Sequence, residues 1–374
     1  MGRRGMFVAI SGIALGLMAT LSGVGWSMAT WSTEVVDGGD GGFYNSLAYD
    51  PTDGRPSIGY VGKVGTKDRL KFAHFNGSGW TIENVTSGNT GVSLAYDPID
   101  HSPTMSFSAG SSIKFARKSG ASWTFQTIET AGVFNDVTSL AYDAQGDPSV
   151  AYHVKAGQKQ NLKLARWSGS AWVTELVEAG VDARSKSLSY GSDGNPAIAY
   201  SDNLIGNDTT IDTLKYARWN GTAWEVEIVE SGTPGFGAFA GLAHDPVTGD
   251  PAVVHRTSGS GAPLNTVRFL RRIGGGWDLE LVESNDPGAG GFSACSLRYD
   301  GAGTAFVSYV VAWYPVADLR VARRDAEGWA IETVEQLSGQ LGGYTSLGFN
   351  PAGSPAVAYQ NFTNRDLKFA LRIP

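Results

Sequence analysis

The sequence has a single cysteine, Cys295, among its 374 residues. No disulfide can therefore form within the chain, and the hydrophobic core must stabilise the fold without one. Basic residues are also few, because 29 Lys and Arg stand against 36 Asp and Glu and leave a net charge of -7. Binding to nucleic acid requires a basic surface that neutralises phosphates, so we exclude nucleic acid as a partner.

The usual catalytic motifs are missing as well. The sequence contains no G-x-S-x-G elbow, no HExxH motif and no phosphate-binding glycine loop, each of which would place reactive groups in a recognisable local structure. We therefore expect no cofactor and no metal site. Beyond the first 29 residues there is also no convincing helical periodicity.

The first 29 residues have the order of a secretory signal peptide. Arg3 and Arg4 precede an apolar, Gly-rich run from Met6 to Trp26, and small residues at Ser27 and Ala29 follow it. We predict cleavage near Ala29, a secreted or periplasmic location, and one domain over residues 30–374 with no membrane span. Retention of the run as a membrane anchor is the alternative, since its length approaches the ~20 residues that a span needs.

Four short elements then recur seven times. The first reads Ser-Leu-x-aromatic, and its leucines follow one another at spacings of 46 to 55 residues: Leu47, Leu94, Leu140, Leu188, Leu242, Leu297 and Leu347. The second ends in an aromatic, as in PSIGY at Tyr60, and the third reads apolar-basic-apolar-small, as in LKFA from Leu70. The fourth reads Trp-x-x-Glu-x-Val, as from Trp172. Each element either alternates apolar with polar residues or is rich in β-branched residues, and each is bounded by Gly, Pro, Asn or Asp. This pattern predicts a strand.

Seven copies of four strands predict an all-β fold, a seven-bladed β-propeller with four antiparallel strands per blade. An open solenoid is the alternative, but solenoids need polar caps at both ends, and the sequence shows none. The chain holds six complete units and a seventh that is cut in two. We predict that the N-terminal strand 31–36 pairs with the C-terminal strands 346–373 and closes the ring, which leaves no strand edge open.

The motifs SLAYD, G-x-P-x-I-A-Y, LKxAR and G-x-x-W-x-x-E are spread over residues 30–374. They resemble the tandem repeats of secreted bacterial seven-bladed propellers. The resemblance implies an architecture that is shared with some lectins and sialidases. It implies a scaffold and no particular chemistry, because one fold can carry many functions.

The second position of the third element is basic in every copy: Lys71, Lys114, Lys163, Lys215, Arg268, Arg320 and Lys368. An acid, or Gln126 once, follows twelve positions later in six copies, and five of these pairs have a Gly at the midpoint. A hairpin folded about that midpoint would place the two charges directly opposite and fix the strand register. For Lys368 the same reasoning predicts Glu34 as the partner across the ring closure.

Two further sets of repeated residues are predicted to be structural. Asp50, Asp97, Asp143, Asp245 and Asp300 follow the first element, where Asp side chains bond to backbone amides and begin turns. Calcium binding is the alternative for these turns. The tryptophans of the fourth element are predicted to pack between blades or on the outer rim. For the extra pair Trp167 and Trp219, stacking on a sugar is the alternative.

A ligand site is expected where the repeats differ. The connections from the second to the third strand, and from the fourth strand to the next blade, vary most and emerge on one face around the central channel. Aromatic rings mixed with a few polar groups are typical of glycan and other small-ligand sites. The predicted ligand-binding residues on this face are Tyr44, His153, Arg184, Ser201, Asp202, Phe239, Arg256, Trp313, Tyr314, Tyr344, Gln360 and Asn361.

Blade five departs from the pattern, with His244 and His255 at its two tyrosine positions. The hairpin register predicts that the two imidazoles face each other as a buried, hydrogen-bonded pair. Two ligands are too few for a zinc site.

The leading functional hypothesis is a secreted, non-catalytic and monomeric recognition module that binds a glycan or an extracellular protein. A carbohydrate-active hydrolase or lyase that uses Asp202 with His153 or Arg256 is the first alternative, because such enzymes place carboxylates beside the scissile bond. A structural or adhesive ring without a small-molecule site is the second alternative.

Overall fold

Short strands pair with their neighbours along the chain and give seven four-stranded antiparallel sheets in the computed structural model. The structure describes residues 30–87, 89–130, 137–157, 159–202, 212–232, 238–257, 266–284, 292–313, 316–338 and 344–373. Within the part that is described, the chain contains no helix long and apolar enough to cross a membrane.

Each sheet is one blade of a seven-bladed β-propeller. Blade 7 combines β26 (Thr345–Phe349), β27 (Pro355–Asn361), β28 (Asp366–Ile373) and the N-terminal β1 (Thr30–Asp37). Blade 1 contains β2 (Phe43–Tyr49), β3 (Pro56–Val64), β4 (Lys67–Phe75) and β5 (Trp80–Ser87). Blade 2 contains β6 (Asn89–Tyr96), β7 (Pro103–Ala109), β8 (Ser112–Ser119) and β9 (Ser122–Thr130). Blade 3 contains β10 (Ser139–Tyr142), β11 (Pro148–Ala156), β12 (Lys159–Trp167) and β13 (Trp172–Val181).

The other three blades follow the same order. Blade 4 contains β14 (Ala183–Tyr190), β15 (Pro196–Asp202), β16 (Asp212–Trp219) and β17 (Trp224–Gly232). Blade 5 contains β18 (Ala238–His244), β19 (Pro251–Thr257), β20 (Thr266–Ile273) and β21 (Gly276–Ser284). Blade 6 contains β22 (Phe292–Tyr299), β23 (Ala305–Trp313), β24 (Val316–Asp325) and β25 (Gly328–Ser338). The predicted fold class is therefore confirmed.

The hydrophobic core lies between blades. Buried side chains form seven clusters, and each cluster combines residues from two consecutive blades. The cluster at the closure joins Ile58 and Tyr60 of blade 1 to Ala356 and Phe369 of blade 7. Because a blade buries both of its faces against neighbours, no blade has a complete core of its own.

The serine of the first element links the innermost strands around the channel. Its Oγ accepts a hydrogen bond from the backbone N–H of the leucine of the next blade's first element, as from Leu94 to Ser46 at 3.0 Å. The bond recurs from Leu140, Leu188 and Leu347 to Ser93, Ser139 and Ser296. At the closure, Leu47 donates to Ser346 at 2.9 Å. The Ser-Leu motif therefore satisfies donors on the inner strand edges.

The predicted ring closure is confirmed. Strand β1 pairs antiparallel with β28 from Thr30 opposite Ile373 to Asp37 opposite Leu367. At the outer rim, Trp31 Nε1 also donates to Glu332 Oε2 of blade 6 at 3.0 Å. The N-terminal strand therefore completes blade 7 and contacts the blade before it.

Deletion of residues 31–36 should open this ring. The edge of β28 would lose its partner, and blade 7 would lose most of β1, whose Asp37 is bonded to blade 1. We therefore expect the free energy of unfolding to fall by more than about 4 kcal/mol. Chemical unfolding and size-exclusion chromatography measure the loss of stability and the aggregation through the open edge. A chain that begins at Thr30 is the control and should behave like the parent. Equal stability and solubility of the deletion variant would contradict ring closure by β1.

Candidate functional site

The two ends of the ring differ in their connections. The links from second to third strands and from fourth strands to the next blade lie at one end, which we call the loop face. The tight hairpins of the first with the second strand, and of the third with the fourth, lie at the other end, which we call the turn face. The predicted site belongs to the loop face.

A largely buried carboxylate stands near the loop-face end of the fourth strand at six of the seven blade junctions. It lies six positions after the tryptophan of that strand, and its partners belong to the second and third strands of the next blade. At the closure, Asp37 Oδ2 accepts hydrogen bonds from Tyr60 OH and from Lys71 Nζ, both at 2.7 Å. Burial and the bond to Asp37 raise the pKa of Tyr60 above its ordinary value. The phenol is therefore protonated and donates to the carboxylate.

The same group of three recurs around the ring. The other acids are Glu129, Glu178, Glu230, Glu283 and Glu335. Their second-strand partners are Tyr152, Tyr200, His255, Tyr309 and Tyr359. Their third-strand partners are Lys163, Lys215, Arg268, Arg320 and Lys368. We call each group a junction triad.

The seventh junction, between blades 1 and 2, lacks both the acid and the hydroxyl. Thr86 takes the place of the acid, and Phe107 takes the place of the tyrosine and is fully buried. A tyrosine hydroxyl at this position would face no carboxylate and would lose its hydration without gaining a partner. At this position of the second strand, a tyrosine hydroxyl is therefore absent where the acid is absent.

Sequence reasoning missed these acids. It paired each basic residue of the third strand with the acid twelve positions later, and that prediction is wrong. The hairpin is centred between Gly77 and Ser78, since Phe75 lies opposite Trp80, and this shifts the register by one residue, so that Lys71 lies opposite Asn84 while Glu83 lies opposite Phe72. The shift recurs in the corresponding hairpins of blades 2 to 6. The signal that could have identified the triads is the acid six positions after the tryptophan.

The predicted pair of Lys368 with Glu34 is wrong as well. Glu34 lies opposite Phe369, and Lys368 binds Glu335 of the preceding blade. The acids that sequence reasoning chose lie instead at the rim, where Glu83 Oε2 accepts from Trp123 Nε1 of the next blade at 3.0 Å. This contact confirms the predicted packing of the fourth-strand tryptophans between blades at the rim.

The prediction that His244 and His255 face each other is also wrong. His244 ends the first strand opposite Pro251, whereas His255 lies four residues further along the second strand. His244 Nδ1 lies 3.0 Å from Ser189 Oγ, and burial lowers the pKa of this histidine to about 4. His255 is fully buried, and its Nε2 lies 2.8 Å from Glu230 Oε2. His255 therefore occupies the tyrosine position of a junction triad.

Three predicted ligand-binding residues lie near the loop-face ends of β11 and β15 but point into the protein. His153, Ser201 and Asp202 are only 5%, 2% and 2% exposed. His153 Nδ1 lies 3.0 Å from Ala183 O, and Ser201 Oγ accepts from the Ser185 amide at 3.3 Å. Their part in ligand binding stays a prediction.

Asp202 is held by a charge from its own blade. Its Oδ2 pairs with Lys215 Nζ at 2.8 Å, and Lys215 also binds Glu178 Oε1 at 2.8 Å. Its Oδ1 accepts from the Asp182 amide at 3.0 Å. The carboxylate that the enzyme hypothesis requires is thus part of an extended junction triad.

The remaining predicted residues of blades 4 to 6 are only partly described. Arg256 is half-buried in β19, and desolvation lowers its pKa. Arg184, Phe239 and Trp313 lie on β14, β18 and β23, but their side chains fall outside the described part, as does Tyr314.

Three predicted residues come together at the junction of blades 7 and 1, namely Tyr44, Tyr344 and Gln360. The rings of Tyr44 and Tyr344 have centroids 4.6 Å apart and are tilted by 47°. The backbone N–H of Gln360 donates to Tyr344 O at 3.3 Å. Asn361, the next residue of β27, uses its Oδ1 within the turn that follows the strand. The structure thus places an aromatic pair beside the amide side chains of Gln360 and Asn45 at the channel mouth of the loop face. We call this group the Tyr pair site.

The Tyr pair site contains two buried amide oxygens with no protein donor in the described part of the chain, Asn45 Oδ1 and Gln360 Oε1. Asn45 Nδ2 donates to Tyr344 O at 3.1 Å, and Gln360 Nε2 donates to Gly41 O at 2.7 Å. The hydrogen bond from its nitrogen therefore fixes the orientation of each amide group. Buried polar atoms are nearly always hydrogen-bonded, so the two oxygens mark positions that suit a donor from water or a ligand.

The backbone of the Tyr pair site is strained. Tyr44 has a φ of 52°, a left-handed conformation that costs a bulky side chain about 1–2 kcal/mol. Burial and the neighbouring Tyr44 side chain raise the pKa of Tyr344. Strain of this kind persists where the surroundings hold a residue in place, which is common at ligand sites.

No protein-family model matches the sequence, and the comparison with curated proteins finds no match. Solved structures share the fold. A polysaccharide lyase described as an ulvan lyase aligns with a TM-score of 0.61 at 14% identity, over 90% of this chain and 94% of its own. A Dyadobacter fermentans protein of unknown function aligns with a TM-score of 0.52 at 11% identity, over 91% and 98%. The Aleuria aurantia lectin bound to Fucα1-6GlcNAc aligns with a TM-score of 0.51 at 13% identity, over 83% and 100%.

Phe107→Tyr and Thr86→Glu test the junction triads at the one junction that lacks a triad. Phe107→Tyr alone buries a hydroxyl without an acceptor and should lower the free energy of unfolding by about 1–3 kcal/mol. Adding Thr86→Glu should recover at least half of this loss, because it restores the acid beside Lys114. Urea unfolding of both single variants and the double variant measures the effect. Equal losses for Phe107→Tyr with and without Thr86→Glu would contradict the assignment.

Proposed function

We propose that the protein is a glycan-binding module whose binding surface is the Tyr pair site on the loop face. The observation that carries this proposal is the pairing of two half-buried aromatic rings with two buried amide oxygens that have no donor in the described part of the protein. Sugars have apolar C–H faces that stack on aromatic rings and hydroxyls that donate to amide oxygens. The Tyr pair site offers both kinds of contact within one junction.

Binding is favoured over catalysis by the state of the reactive groups. Asp202 is ion-paired with Lys215, and His153 is buried with its Nδ1 beside a backbone carbonyl. A general acid or base has to reach the proton that it transfers. Both side chains are instead bonded to other parts of the ring. The hydrolase or lyase hypothesis therefore has less support than the hypothesis of a glycan-binding module.

The similar folds point to the same class of ligand. The Aleuria aurantia lectin is described in complex with a fucosyl disaccharide, and the ulvan lyase is described as a polysaccharide lyase. Fold alone does not determine function, so this likeness supports the proposal only together with the Tyr pair site.

Three further parts of the proposal come from the sequence. We propose that residues 1–29 direct secretion and are removed near Ala29, and that the mature ring is a monomer. The other predicted loop-face residues would extend the binding surface around the channel and determine which glycan it prefers. They include Arg184, Arg256, Trp313 and Tyr314.

Glycan-array screening followed by isothermal titration of the best ligand tests this proposal. Tyr344→Ala should weaken binding about tenfold or more, equivalent to ~1.4 kcal/mol, since a stacking ring is lost. Tyr44→Gly should weaken binding similarly, while the relief of the left-handed backbone offsets part of the lost packing in the unfolding free energy. Gln360→Met keeps the shape of the side chain but removes both the acceptor and the Nε2–H bond to Gly41 O, so it should also weaken binding.

Trp219→Ala is the matched control, because Trp219 packs on Trp224 at the turn face with ring centroids 5.8 Å apart. We expect it to bind the glycan like the parent. Loss of binding in Trp219→Ala with full binding in Tyr344→Ala would move the site to the turn face. Polysaccharide turnover that disappears in Asp202→Asn would overturn the non-catalytic assignment.

A further inference from the structure

The turn face carries a cluster of three metal-ligating side chains in blade 1, remote from the Tyr pair site. Asp50 and Asp53 belong to the turn between β2 and β3, and His74 lies on β4. One atom from each side chain, namely a carboxylate oxygen from each aspartate and an imidazole nitrogen, lies within 4.8 Å of the other two. The sequence did not predict this cluster, since His74 is distant from the two aspartates along the chain.

Each aspartate has a second carboxylate oxygen that takes no part in the turn, although Asp50 also interacts with the Tyr96 hydroxyl. Asp50 Oδ1 accepts from the Thr52 amide at 2.8 Å, and Asp53 Oδ1 accepts from the Arg55 amide at 2.9 Å. These bonds fix the two carboxylates, as Asp side chains do in turns. Asp53 Oδ2 points to the imidazole, at 3.3 Å from His74 Nε2.

The other blades show what this position normally holds. Five blades have an arginine three positions after the basic residue of strand three: Arg117, Arg166, Arg218, Arg271 and Arg323. In blade 2, Arg117 Nη1 pairs with Asp97 Oδ2 at 2.6 Å, and its Nη2 pairs with Asp100. Asp97 and Asp100 occupy the same turn positions as Asp50 and Asp53. Blade 1 therefore replaces the cation between two carboxylates with an imidazole.

The hydrogen bonds behind His74 are those of a metal-binding histidine. Its Nδ1 lies 2.8 Å from Ser57 Oγ, and Ser57 Oγ lies 2.6 Å from Tyr96 OH of blade 2. Metal-binding histidines usually donate their second ring N–H to a partner that fixes the tautomer and the ring orientation. In the tautomer that donates Nδ1–H to Ser57, the lone pair of Nε2 would face the carboxylate of Asp53. Two acceptors face each other in this arrangement, and a cation between them would relieve their repulsion.

We propose that Asp50, Asp53 and His74 bind a divalent transition-metal ion of the zinc type on the turn face. Two carboxylates and an imidazole suit zinc and its neighbours, whereas calcium prefers oxygen ligands throughout. The ion would replace the charge that Arg117 supplies in blade 2 and would join the first turn of the blade to its third strand. The Arg55 guanidinium, with Nη1 at 3.7 Å from Asp53 Oδ2, is the positive group that the ion has to displace or share.

Titration of untagged, chelator-treated protein with ZnCl2 tests the proposal, by calorimetry and by the shift in melting temperature. The parent should bind about one equivalent and melt at a higher temperature with zinc, since a ligand that binds only the folded state stabilises it. His74→Arg reproduces the arrangement of blade 2, so it should lose zinc binding and still melt, without zinc, no lower than the parent. Asp50→Asn should also weaken zinc binding.

His101→Ala is the matched control, because this exposed histidine lies at the next turn, with Nδ1 3.4 Å from Thr52 Oγ1. It should bind zinc like the parent. A parent protein without calorimetric binding or a melting shift would overturn the proposal, as would a zinc response that persists in His74→Arg. In either case the imidazole donates Nε2–H to Asp53 instead, as an ordinary ion pair or hydrogen bond.

Discussion

A buried carboxylate that is shared between consecutive blades is the interaction on which this ring depends. A buried charge costs several kcal/mol of desolvation unless hydrogen bonds and an opposite charge compensate for it. Here each acid receives both, from a tyrosine or histidine and from a lysine or arginine of the next blade. Neither blade satisfies the group alone, so the triads favour a fixed rotation of each blade against its neighbour. At the closure, Asp37 extends this network across the N-terminal strand.

The sequences of the blades differ most at positions outside the junction triads. The Tyr pair site brings together aromatic rings from the start of two consecutive blades, Tyr44 and Tyr344. On the opposite face, blade 1 differs by a single residue type, His74, at a position that holds arginine in five other blades. Both differences stand out only because the repeats are otherwise so alike. In a repeat protein, the departures from the pattern are therefore the best guide to function.

The fold could be predicted from the sequence because each strand carries its own signal and each blade repeats it. The count of repeated elements also predicted that the seventh blade is split and that its two parts pair. Contacts between blades could not be predicted in the same way, since Asp37 and Lys71 share no local spacing. The predicted strand register failed at Lys71, because the hairpin is centred between Gly77 and Ser78 and so places Glu83 opposite Phe72. For the candidate site, the variation between repeats predicted the loop face. Only the structure showed that Tyr44 and Tyr344 are in contact and that Asp202 is buried.

The central claim is that the junction triads bind consecutive blades to each other, and a double-mutant cycle at the closure tests it most directly. The cycle combines Tyr60→Phe with Asp37→Asn and measures the free energy of unfolding of the parent, both single variants and the double variant. Removing the hydroxyl should matter much less once the carboxylate has gone, which gives a coupling energy of about 1–3 kcal/mol. Losses that add to within about 0.5 kcal/mol would show two independent side chains and contradict the account.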